Sequence, residues 1–146
     1  MANLNELIPD LSPDLGVEEY ISNFIPIRHA LAVAKLLWPD FCEVEDLIIL
    51  ESARHNLQYW KDQLRSDPTD VEKVLNHRHL MDIFEHQGHS HPTPTHAQIL
   101  EIGRLLKQTW SAKLSREFPT HTFTVDFPET FNLEKDDPSI SFWQSR

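Results

Sequence analysis

The sequence predicts an α+β fold: three to four helices packed on a small, mainly antiparallel sheet of about four strands. Two patterns carry that prediction. Apolar residues recur at helical spacing over Ile27–Trp38, Ala53–Leu64 and Ile99–Leu114, and they alternate with polar ones over His121–Phe127. Short apolar runs bounded by turn residues lie at Phe41–Leu50 and Ser139–Gln144. Runs of strands separated by helices describe helices laid on an antiparallel sheet. The chain has 146 residues, 40 % apolar and 25 % charged. A chain of that size hides roughly 70 % of its unfolded surface, so residues 1–146 are expected to form one domain.

Residues 1–16 mix Pro9 and Pro13 with scattered apolar residues and no sustained period, so an irregular arm is expected there, held down by Leu4, Leu7, Ile8 and Leu11. Val17–Phe24 is read as a short helix. Pro26 suits the start of the next helix, whose stripe of Ile27, Ala30, Leu31, Ala34, Leu37 and Trp38 predicts deep burial before Pro39 stops it. Phe41–Val44 and Leu47–Leu50 are expected as strands turning at Glu45-Asp46, and the unbroken Leu-Ile-Ile-Leu predicts a strand covered on both faces.

Ala53, Leu57, Trp60 and Leu64 mark a helix with Ser52 as its N-cap. The following helix starts either with Asp67 capping ahead of Pro68 or with Thr69 and Glu72 as a capping box. Residues 78–86 fit a continued helix or a separate short element. Thr95 and Gln98 form a capping-box pair for the clearest helix, which runs to Phe118. Gly103 beside its apolar stripe implies the close passage of another backbone, because glycine within a helix costs about 1 kcal/mol against alanine. The strands at 121–127 and 139–144 should pair as a hairpin, with Phe131 and Leu133 tucked into its long loop. Trp143 alternates away from Ile140 and Phe142. The sheet face near it is therefore either covered or a surface for oligomer formation.

Charge is concentrated. Ten acids and two bases (Arg28, Lys35) precede Ser52, a balance of −8 within a total of −10. An acidic field repels phosphate backbones, so no nucleic-acid partner is expected and a basic protein partner is favoured. No apolar run reaches the length of a membrane span, so no membrane partner is expected either. The N-terminus lacks a basic start and an apolar signal core. A lone cysteine, Cys42, forms no internal disulfide and fits a reducing compartment, so a cytoplasmic location is expected.

Six of the nine histidines fall between His77 and His96. Imidazole is the commonest metal ligand. His86 and His89 are three apart and would share a helix face, and His89 and His91 would point the same way in an extended segment. His86, His89 and His91 are therefore the candidate metal ligands, with Asp82 and Glu85 nearby, suited to zinc or another first-row metal. The alternative is a solvated polar loop, because the stretch has no second cysteine and no His-Glu-x-x-His.

Other chemistry has little support. Acids at Glu43 and Glu45 would raise the Cys42 pKa, and no serine lies in a Gly-x-Ser-x-Gly elbow. Three glycines (Gly16, Gly88, Gly103) make no phosphate-cradling loop. Two readings of function remain. One is a non-enzymatic interaction or binding module with an acidic N-terminal third and no resident cofactor. The other is a metal-binding protein or small metal-dependent hydrolase using the His77–His96 cluster.

Overall fold

Mixed helix and strand order the chain as the sequence predicts. The computed structural model describes residues 3–11, 14–65, 67–85 and 91–146. The elements are α1 (Leu4–Leu7), α2 (Val17–Phe24), α3 (Ile27–Leu37), β1 (Phe41–Val44) and β2 (Leu47–Leu50). A 3-10 helix at Glu51–Asn56 follows, then α4 (Leu57–Leu64), α5 (Pro68–Leu75), β3 (Arg78–His79), α6 (Leu80–Phe84), α7 (His96–Glu117), β4 (Phe123–Asp126) and β5 (Ser139–Gln144). The strands form two antiparallel sheets rather than one: β1-β2, and β3-β5-β4.

The β1-β2 hairpin turns where expected. Glu45 and Asp46 both adopt positive φ, 50° and 67°, the geometry a two-residue turn needs to match strand twist. Pairing runs from Phe41 opposite Leu50 to Val44 opposite Leu47. All four β2 residues are buried, as the apolar run implied. In the second sheet, β4 and β5 pair from Phe123 opposite Gln144 to Asp126 opposite Ser141, and Phe131 and Leu133 in their loop pack against the core.

What joins the two sheets is a helix. Glu72 and Asn76, one turn apart, are completely buried between the free edge of β2 and the part of β5 that the two-residue β3 leaves unpaired. Glu72 accepts hydrogen bonds from the backbone N–H groups of Ile48 (2.9 Å) and Gln144 (2.8 Å). Asn76 accepts from Leu50 N–H (2.8 Å) and donates to the carbonyls of Ile48 (3.0 Å) and Phe142 (3.2 Å). Two side chains thus do for both strand edges what a neighbouring strand would do, as buried backbone polar groups require. The Arg146 guanidinium and the Gln144 side-chain amide take the remaining capacity of the Glu72 carboxylate. Asp67 caps α5 by accepting from Thr69 N–H (2.9 Å), so Glu72 serves the strands instead of a capping box.

Below this joint, α7 crosses the sheet of β4 and β5. Trp110 and Phe142 meet edge to face at 5.9 Å, and Phe41 meets Phe142 at 5.2 Å. The predicted capping box of Thr95 and Gln98 is present. Gln98 also donates to the Leu7 carbonyl (2.7 Å), tying α1 to the body. The arm expected to be irregular therefore contains one helical turn, and Leu11 is buried.

Two further expectations, the Ser52 cap and the deeply buried α3 stripe, are corrected, and two readings left open, residues 78–86 and Trp143, are described alongside them. Ser52 does not cap α4; the 3-10 helix precedes that helix, and the Ser52 hydroxyl accepts from Arg78. Residues 78–84 form a two-residue strand and a single helical turn, because β5 offers its edge to Arg78 and His79. The α3 stripe is not deeply buried: Ile27 is 75 % exposed and Leu31 59 %. Leu36 and Leu37 reach the core, and the Trp110 indole N–H donates to Leu36 O (2.9 Å); α3 is anchored by its last turn. Trp143 is half-buried, with the Lys73 ammonium 4.6 Å from its ring centre.

The close neighbour of Gly103 is a ring, not a backbone. A Cβ there would lie 2.0–2.4 Å from Phe127 ring atoms, and Phe127 is buried. Gly103→Ala should therefore lower unfolding free energy by about 2 kcal/mol through overpacking, although alanine favours helix. Denaturant unfolding checks this, and a variant as stable as the parent contradicts the packing.

Candidate interaction surface

The surface is built by two consecutive helices that contribute to the core only through the last turn of α3. In α2, Val17, Ile21 and Phe24 follow at i, i+4 and i+7, one face of a helix; the helix has no buried residue. Phe24 is 61 % exposed, with its ring 5.0 Å from that of Tyr20. Pro26 then holds an extended conformation at the N-cap of α3. Along α3, Ile27, Leu31 and Trp38 continue the apolar exposure. Single exposed apolar residues are ordinary, but a run of them on successive helices is not.

Charge sharpens the picture. Asn3–Phe24 contains Glu6, Asp10, Asp14, Glu18 and Glu19 and no lysine or arginine, and among the described residues none of these acids is in an ion pair. Three of the five acids later in the same third are matched, and Glu43 and Asp46 are in no ion pair among the described residues. Asp40 meets Lys35 (2.9 Å), Glu51 meets Arg54 (3.1 Å), and Glu45 meets Lys61. The Lys35 ammonium holds the Asp40 carboxyl below its usual range. Most of the unmatched negative charge thus lies in the segment of α1 and α2, with Glu43 and Asp46 on the β1-β2 hairpin.

The histidine cluster distributes differently. His86 and His89 lie outside the described residues. His91 is exposed and lines an apolar cleft of about 330 Å³ with Phe84, Pro94 and Ile102. His96 lies against Phe131, ring centres 4.5 Å apart, at the start of α7. His77 and His79 meet edge to face at 4.5 Å. His79 Nδ1 lies 2.7 Å from Asp137 Oδ2, at ion-pair distance but without hydrogen-bond alignment. Burial, and then the neighbouring His79, push the His77 pKa down. Asp82 and Glu85, the expected oxygen donors, line a separate cleft with Glu134, Asp136 and Asp137. Among the described residues no three His, Cys, Asp or Glu side chains converge on a metal-holding point.

No family model, curated protein or solved structure matches the chain significantly. Among the described residues no helix is long and apolar enough to cross a membrane. Sequence reasoning missed the α2–α3 surface because periodicity reports an apolar face without reporting what covers it. The available signal was the acid-only stretch ahead of a helix too short to bury itself.

Cys42 is half-buried on β1, and its thiol is pushed up to about 11, first by burial and then by its hydrogen bond to Glu51. Glu51, across the hairpin's end, does what Glu43 and Glu45 were expected to do. Alkylation by iodoacetamide near pH 8 should run about a hundredfold slower in the folded protein than after unfolding, because the thiolate is the nucleophile. Mass spectrometry of timed samples measures it; equal rates in the two states would contradict the assignment.

Proposed function

We propose that this protein is a non-enzymatic interaction module that binds a basic partner protein through α2 and α3. The observation that carries the reading is the exposure of Val17, Ile21, Phe24, Ile27, Leu31 and Trp38, with the unmatched Glu18 and Glu19 on α2 and three more unmatched acids just before it in sequence. None of these side chains belongs to the buried core, so core packing does not account for their apolar character. Aromatic anchors such as Phe24 and Trp38 are the residue types that concentrate binding energy at interfaces. Carboxylates around an apolar stripe would select a partner with lysine or arginine flanking apolar anchors and would speed encounter. An amphipathic helix of that composition fits, laying its apolar face on the stripe.

A photoreactive residue placed at position 24 should capture a specific basic protein in native extract, and one placed at Tyr59, an exposed aromatic on α4, should not. With the captured partner purified, Phe24→Asp/Ile27→Asp should weaken binding more than about tenfold while the melting temperature stays within about 3 °C, since both residues are exposed. Binding should also weaken as salt rises. Unchanged affinity in the double variant, or affinity indifferent to salt, refutes the proposal.

A further inference from the structure

Beneath the last turn of α3 lies a cleft of about 250 Å³, bounded by the 3-10 helix, β3, α6 and α7. Leu36, Leu50, Ile83 and Trp110 form its apolar wall, and Ser52 and Arg78 supply its polar side. Lys35 stands at the rim, already matched by Asp40.

Arg78 is the unusual member. Its Nη1 donates to the carbonyls of Leu75 (3.0 Å) and His77 (2.6 Å), and its Nη2 to Ser52 Oγ (3.3 Å). These partners are dipoles, not charges. Among the described residues no carboxylate lies within ion-pair distance of Arg78. Burial alone lowers its pKa. Arg78 is half-buried, and a cation partly withdrawn from water with no carboxylate against it is left without a matching charge. Arginine has five N–H donors, and the three bonds leave donors over for a planar acceptor, the fork that matches a carboxylate.

We propose that this cleft binds a small apolar carboxylate, its anionic end on Arg78 and Ser52 and its hydrocarbon or aromatic body against Leu36, Leu50, Ile83 and Trp110. A few convergent polar groups in an apolar wall are the usual composition of a small-molecule site. Inorganic phosphate has the charge but nothing to set against the wall. A neutral molecule of the same shape leaves Arg78 uncompensated. The site is separate from the exposed faces of α2 and α3 and does not depend on them.

The Trp110 indole N–H, which donates to Leu36 O at the cleft, is the reporter, assigned in nuclear magnetic resonance spectra with Trp110→Phe. Titration with benzoate or hexanoate should move it saturably. Benzyl alcohol should bind at least about tenfold more weakly, the loss expected for a hydrogen bond to a charged group, and phosphate should leave the signal in place. Arg78→Gln should abolish the benzoate shift. Because Arg78 also holds two backbone carbonyls, Ile83→Trp, which fills the cleft and keeps the guanidinium, should abolish it independently. The proposal is overturned by no saturable shift with either carboxylate up to about 10 mM, a range that reaches very weak binding. It is equally overturned by benzyl alcohol or phosphate binding as tightly as benzoate, or by a benzoate shift that survives Ile83→Trp.

Discussion

Two polar side chains on one helix hold the structure together. Glu72 on α5 and Asn76 at its C-cap have no solvent exposure, and each bonds to backbone of both β2 and β5. Without them, each sheet would present an unpaired edge to the interior, where an unsatisfied N–H or C=O costs about 1–3 kcal/mol. The arrangement is specific to this register. Ile48 and Leu50 project the same edge of β2, and Phe142 and Gln144 the same edge of β5, so an i, i+4 pair on a helix spans both. Arg146 completes it by placing its guanidinium against the Glu72 carboxylate.

That joint also determines what is left over. With α5 between the sheets and α7 across β4 and β5, the interior closes around Trp110, Phe142 and Leu106, and α3 is needed only at Leu36 and Leu37. The rest of α3, and all of α2, remain outside with their apolar stripes uncovered. Arg78 follows Asn76 by two residues. Where α5 ends, its guanidinium turns back to the Leu75 and His77 carbonyls and faces the gap under α3. Both proposed binding regions therefore arise from how the core is closed.

Much of the fold could be read from local patterns. Leu-Ile-Ile-Leu announced a strand buried on both faces, Glu45-Asp46 its turn, and Thr95 with Gln98 the start of α7. These are local signals, and local geometry answers them. Glu72 was not legible: its spacing from Thr69 resembles a capping box, and its real partners lie 24 and 72 residues away. The stripe on α3 was legible as amphipathic but not as uncovered, since nothing in a helix states whether its neighbour belongs to the same chain. Gly103 did signal a close approach, and the ring of Phe127 supplied it. The histidines were visible in composition, but convergence is a property of coordinates, and among the described ones only His77 and His79 meet. Arg78 has no signature at all; only the missing counter-ion makes it conspicuous.

Native-state hydrogen exchange tests the joint most directly. The amides of Ile48, Leu50 and Gln144 are not bonded to another strand, so ordinary edge amides in their place would exchange by local fraying. If Glu72 and Asn76 lock both sheets to α5, these three should exchange only through global unfolding, as slowly as the most protected amides of α7, and should slow together as stability is raised. Fast, independent exchange at these positions in a protein whose α7 amides remain protected would contradict the account.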